Sequence, residues 1–182
     1  MRDPATHDRR SIRLPLFDYS ASAANFVTLV ARERAELFGS IVDAAMHLSP
    51  IGGIVHEEWI RSSDVRPDLE LGEFVVMPNH LHGIAMFGGD MLAYDAPVLA
   101  SAGAHSRAPL RRLPRSLGSF ISGFKATATR RLRMLGLADD QPIFQRNYFE
   151  RVIRNEREAD RIRQYIIDNP AGWPEDPENG NR

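Results

Sequence analysis

The fold turns on the stretch Val75-Val76-Met77-Pro78-Asn79-His80-Leu81-His82-Gly83-Ile84. Leu71 to Val76 alternates loosely and predicts a strand. Pro78-Asn79 interrupts it, and His80 to Phe87 (HLHGIAMF) predicts a second strand. On a strand, residues i and i+2 point to one face about 6–7 Å apart, so His80 and His82 share a face while Leu81 turns to the core. Both imidazoles can then reach one ion, and histidine is the commonest transition-metal ligand. A bare His-x-His is also what two surface histidines on a polar strand face look like, so the spacing alone does not assign a metal. His7, His47, His56 and His105 have no partner at ligand spacing.

Working outward, Asn25 to Arg32 (NFVTLVAR) predicts a strand. Gly39 to Leu48 predicts another, ended by Ser49-Pro50 and a Gly52-Gly53 turn signal, and Ile54 to Ser62 predicts a helix. Gly88 to Arg115 carries Gly, Ala, Pro and Arg without apolar periodicity, which predicts a long loop. From Ser116 to Leu135, the residues Leu117, Phe120, Ile121, Phe124, Ala128 and Leu132 recur at helical spacing, with Gly136 as C-cap. A last helix opens at Asn155, with Glu158 three residues on as in a capping box. It buries Ala159, Ile162 and Ile166, and Pro170 stops it. The expected class is α+β: an antiparallel sheet with helices packed on one face. The expected divisions are an N-terminal arm over 1–22, a single domain over 23–173 and a polar tail over 174–182.

The chain has 182 residues, 43% of them hydrophobic, which suits one domain with a core and excludes disorder throughout. There is no cysteine, which excludes disulfides, thiol nucleophiles and Cys-ligated zinc. No apolar run approaches the roughly 20 residues that span a bilayer, and MRDPATHDRR has no signal region, so nothing in the sequence marks export or membrane insertion. The formal net charge of −1 conceals unlike segments. Between Ala96 and Ala138 no acidic residue occurs, but Arg107, Arg111, Arg112, Arg115, Lys125, Arg130, Arg131 and Arg133 do. The rest of the chain stands at −9, with 15 basic residues against 24 acidic. Such a basic block is an electrostatic footprint for phosphate backbones; a solvated helix face accounts equally well for the arginines after residue 125.

Tyr165 and Asn169 are four apart on the last helix and share a face, so a phenol and an amide oxygen can meet one site. Alone the pattern is generic. Tyr148 is a rival nucleophile, without an amide four residues on.

Together, the Val75–Ile84 stretch and Tyr165-x-x-x-Asn169-Pro170 resemble the REP-associated tyrosine transposases, within the small tyrosine HUH single-strand transposases. The resemblance extends through Ile12-Arg13-Leu14-Pro15, Asp18-Tyr19, Phe26-Val27-Thr28, Gly53-Ile54-Val55 and Glu58-Trp59. It continues through Leu117–Ile121, Gly123-Phe124-Lys125, Phe144–Glu150 and Ile153–Glu156. Phe144 stands where relatives usually carry Trp, and Gly172 where many carry Lys.

The resemblance implies a ferredoxin/RRM-like antiparallel sheet, with the HUH motif on a strand and the catalytic tyrosine on a C-terminal helix. It implies His80, His82 and Asn169 as ligands of Mg²⁺ or Mn²⁺, and Tyr165 as the nucleophile. Two histidines suit Mn²⁺ better than Mg²⁺. The implied activity is metal-dependent cleavage and transfer of single-stranded DNA at hairpin-bearing repeat or insertion-sequence ends, through a 5′-phosphotyrosine. The eight cations of the basic segment are the candidates for backbone contacts. The alternatives are a domesticated hairpin-binding protein without turnover, and an HUH replication initiator or relaxase. The location implied is cytoplasmic and nucleoid-associated, the partner single-stranded DNA with a hairpin, the state monomer or homodimer.

Overall fold

A computed structural model describes residues 24–87 and 116–179. Six strands and three helices follow one another as β1 (Ala24–Val30), β2 (Gly39–Val42), β3 (Ala45–Leu48), α1 (Pro50–Val65), β4 (Leu69–Val76), β5 (His80–Phe87), α2 (Leu117–Met134), β6 (Phe149–Ile153) and α3 (Glu156–Asp168). The main sheet is antiparallel, in the order β4-β5-β1-β6, and β2 with β3 forms a separate two-stranded ribbon. Counting only the strands of the main sheet, this is the ferredoxin-like order, and the expected α+β class is observed.

Alternation along the two central strands divides the interior into two cores. Val27, Leu29, Leu81, Ala85 and Phe87 meet Val55, Trp59, Phe120 and Phe124 from α1 and α2. Ala24, Phe26, Ile84 and Met86 point the other way and meet Ala159 and Ile166 from α3. The expectation of helices on one face thus holds for α1 and α2 and needs correcting for α3, which covers the opposite face. Coverage from both sides is why every residue of β5 is buried and why its sequence shows no clean period of two.

Other elements differ in detail from the sequence reading. Ser49-Pro50-Ile51-Gly52 starts α1 where a turn was predicted: Ser49 Oγ accepts from Gly52 N–H at 3.0 Å, with Pro50 in the first turn. Gly52 is required by crowding, because a Cβ there would lie 1.9 Å from the Phe38 carbonyl oxygen. The strand predicted over Gly39 to Leu48 is two, reversing at Asp43 and Ala44 with φ of 51° and 60°. β6 was missed because Glu150 and Arg151 break its apolar pattern. It lies at the edge of the sheet, where that alternation is not demanded.

Both helix-end readings hold. Gly136 at φ 70° follows α2, with its N–H on Arg133 O and that of Leu137 on Leu132 O. Asn155 Oδ1 accepts from Glu158 N–H at 2.9 Å, while the Glu158 carboxylate reaches back to Arg154 N–H at 3.0 Å. The Met1 to Ser22 arm and the loop carrying Arg107, Arg111, Arg112 and Arg115 lie outside the described residues.

Two glycines make opposite predictions. A Cβ on Gly83 would stand 2.6 Å from Cζ2 of buried Trp59, so Gly83→Ala is expected to lower unfolding free energy by about 1–3 kcal/mol. Gly123, inside α2, has open space where a Cβ would go, so Gly123→Ala is expected to raise it by roughly 0.5–1 kcal/mol. Urea unfolding of both variants checks the packing.

Candidate active site

β5 is a central strand, and its α3-facing side presents His80 and His82 as neighbours with ring centroids 4.3 Å apart. Both are buried, in contrast to the surface pair that a bare His-x-His permits. Each ring is oriented by one polar neighbour. Asn79 Oδ1 lies 2.9 Å from His80 Nδ1, and since a carbonyl oxygen can only accept, Nδ1 carries the proton and His80 Nε2 has a bare lone pair. Thr28 Oγ1 lies 2.9 Å from His82 Nδ1, which leaves His82 Nε2 to face the Tyr165 hydroxyl at 3.2 Å.

α3 brings the remaining groups. Its apolar stripe docks on the second core, Tyr165 packs against the rings of His82 and Phe26 at 5.2 and 6.2 Å, and Asn169 follows one turn later as the C-cap. The chain then folds back. Trp173 covers His80 with centroids 5.9 Å apart, and Asp176 is buried beside the pair. The Asp176 carboxylate accepts from Asn169 Nδ2 at 2.9 Å, from the Tyr165 hydroxyl at 3.4 Å and from Glu178 N–H at 2.7 Å. Asn79 Nδ2 donates to Glu178 O at 2.8 Å, and Glu178 pairs with Arg34. Asp176 and Glu178, which fall in the expected polar tail, thus reach the site.

Asp176 was the functional candidate that sequence reasoning missed. Helical periodicity ends at Pro170, and an acidic residue among Pro, Glu and Asn gives no local signal; only the reversal of the chain brings it here.

The donor set could hold a cation. Ligand atoms of His80, His82 and Asp176 lie within 4.8 Å of one another. His80 Nε2 and Asn169 Oδ1 are buried acceptors without a hydrogen-bond partner among the described residues, an arrangement that is costly unless a positive group sits between them. Burial lowers the His80 pKa to about 4, against the opposing pull of the Asp176 charge and the nearby Asn169 amide. Burial and the neighbouring imidazole hold His82 well below its ordinary value. Both rings are thus neutral at pH 7, the form that ligates. The Tyr165 phenol is pushed up to about 12, first by burial and then by Asp176.

Tyr148 lies on the other face of the sheet. It packs against the α1/α2 core, with the Lys125 ammonium 5.7 Å from its ring centre. The helix cations are largely engaged within the fold. Lys125 Nζ donates to the carbonyls of Gln145 and Asn147 at 2.7 and 2.9 Å. Arg131 pairs with Glu58 at 2.7 Å and Glu57 at 2.5 Å, and Arg133 caps the carbonyls of Asp139 and Asp140. Arg130 is exposed and makes no ion pair among the described residues.

A bulge between Leu71 and Phe74 in β4 turns Glu73 toward α3, where it accepts from Arg163 Nε at 3.1 Å, two residues before Tyr165. Arg163→Met leaves the half-buried Glu73 carboxylate without its cation and is expected to cost about 1.5–3 kcal/mol in urea unfolding.

The buried histidines make stability depend on pH. Their folded pKa values lie below 6.5, about 4 for His80, so between those limits the unfolded chain binds more protons. Stability is expected to be full above about pH 6.5 and to decline as pH falls toward 4. Unfolding at pH 7 and pH 5 measures the decline, and His80→Gln combined with His82→Gln should flatten it.

No protein-family model matches the chain. An uncharacterised protein of Haemophilus influenzae is 33% identical over 171 residues, which cover 93% of this chain and 92% of that one. Among solved structures, a REP-associated tyrosine transposase bound to a REP hairpin superposes with a TM-score of 0.54 at 20% identity, over 83% of this chain and 68% of that one. The chain belongs to one family with the Haemophilus influenzae protein and has the fold of a REP-associated tyrosine transposase.

Proposed function

We propose that this protein cleaves and rejoins single-stranded DNA as a metal-dependent tyrosine transposase of the REP-associated type. The observation that carries the reading is the Tyr165 hydroxyl 3.2 Å from His82 Nε2, beside the acceptors His80 Nε2 and Asn169 Oδ1, which have no partner among the described residues. A structural role would not need a phenol 43% exposed, with its oxygen turned in to a buried pair of neutral imidazoles. The REP hairpin bound by the structural neighbour supports a hairpin-bearing substrate here.

His80, His82 and the oxygen donors Asp176 and Asn169 would hold the ion. When bound, a divalent ion, Mg²⁺ or Mn²⁺, supplies positive charge against the phosphate oxygens and lowers the cost of ionising the phenol. The protein's own groups do the rest. Thr28 and Asn79 fix the ring orientations, and Trp173 keeps water from His80. The Tyr165 O–H has the Asp176 carboxylate as its proton acceptor. The Tyr165 oxygen then attacks phosphorus, forming a 5′-phosphotyrosine as the bond to the 3′ oxygen breaks, and that oxygen leaves as a hydroxyl after taking up a proton. Because the phosphotyrosine keeps the energy of the cleaved linkage, attack by a 3′-hydroxyl rejoins the strand without ATP.

Incubation with end-labelled hairpin DNA bearing single-stranded flanks, in the presence of Mn²⁺, is expected to give a covalent protein–DNA adduct. Tyr165→Phe should abolish the adduct and Tyr148→Phe should keep it. The reverse pattern overturns the assignment of the nucleophile, and tight hairpin binding with no adduct overturns the enzymatic reading.

A further inference from the structure

β6 carries an aromatic side chain that neither core uses. Phe149 is 56% exposed, although its neighbour Tyr148 packs into the α1/α2 core. Tyr148 precedes the strand and turns to that core, whereas Phe149, the first residue of β6 and paired with Thr28, falls on the face of the histidines and Tyr165. The register is specific: Thr28 of β1 lies opposite His82 of β5 on one side and opposite Phe149 of β6 on the other. His82, Thr28 and Phe149 thus form one row across the sheet. Two strand spacings of about 4.8 Å separate the imidazole-bearing residue from the exposed ring.

Phe26 lies between them and meets Phe149 at 6.3 Å with the planes at 68°. An edge-on contact of this kind leaves at least one face of the Phe149 ring uncovered. The surroundings are polar, since Arg151, next along this face of β6, is 61% exposed and pairs with Glu158. One open aromatic face bordered by polar groups is too small for a protein interface but is the size of a base.

We propose that Phe149 is a stacking platform for an unpaired nucleobase next to the phosphate held at Tyr165. The proposal rests on the function proposed above and adds a binding subsite to it. A ring in this row would capture a base of the single strand whichever base it is, because every base has a π-face. It would thereby draw the neighbouring phosphate toward the imidazoles. A paired base, with both faces already stacked in a duplex, could not occupy it, so the platform selects for single-stranded flank over stem.

The test is fluorescence anisotropy with two labelled 20-mers at one fixed salt concentration: oligo-dT, and an abasic strand with the same number of phosphates. Phe149→Ala is expected to weaken binding of oligo-dT by about 5- to 150-fold and to leave binding of the abasic strand unchanged. Phe149→Trp, which keeps a larger ring, is expected to retain oligo-dT binding, and circular dichroism of both variants reports folding. If Phe149→Ala weakens both strands equally, or neither while the wild type binds oligo-dT, the platform is wrong and the proposed function stands. If the wild type binds neither strand, both fall together.

Discussion

Two neutral imidazoles buried side by side on a central strand are the constraint on which the rest of this structure depends. Burying polar nitrogen acceptors is unfavourable unless each lone pair has a donor or a cation. Asn79 and Thr28 account for one nitrogen on each ring. Of the two left over, one meets the Tyr165 hydroxyl and the other has no hydrogen-bond partner among the described residues. Asp176, Asn169 and the covering ring of Trp173 are placed around the pair, where they fit the cation and the ionising phenol of the proposed function.

The two-sided sheet makes that arrangement possible. α1 and α2 form a large apolar core on one face, anchored by Trp59 against Gly83 and by the buried Glu58 paired with Arg131. The other face, freed from the task of holding the sheet together, carries a smaller core that docks α3 and leaves room for polar groups. α3 is held by its N-terminal cap, by Ile166 in the small core and by the ion pair from Arg163 to Glu73 at the β4 bulge. Tyr165 is thus borne on an element fixed at several points, which suits the proposed reaction, whose geometry must be held closely.

Much of this was legible in the chain. The strand–Pro-Asn–strand pattern, the stripe of Phe120, Phe124, Ala128 and Leu132, and the Asn155 cap are local signals, and all appear as read. The α1 start was misread because Ser-Pro and Gly-Gly serve equally as turn and as helix-opening residues, and only the approach of Phe38 explains Gly52. β6 was invisible because an edge strand need not alternate cleanly. Of the eight cations, Lys125, Arg131 and Arg133 bond to carbonyls and carboxylates of the fold itself, and a charge in sequence carries no label for what neutralises it.

By itself, the sequence determined which chemistry was available. His-x-His on a strand, Tyr and Asn one helical turn apart, and the absence of cysteine restrict any metal to nitrogen and oxygen donors, because residue type and local period survive without tertiary context. Only the tertiary structure decided which groups meet. It buried the histidines, set the tautomer of His80, brought Asp176 back from beyond a helix-ending proline, turned Tyr148 away to the other core and left Phe149 open in line with His82. These outcomes depend on strand register and chain reversal between residues far apart in sequence, and no local pattern encodes them.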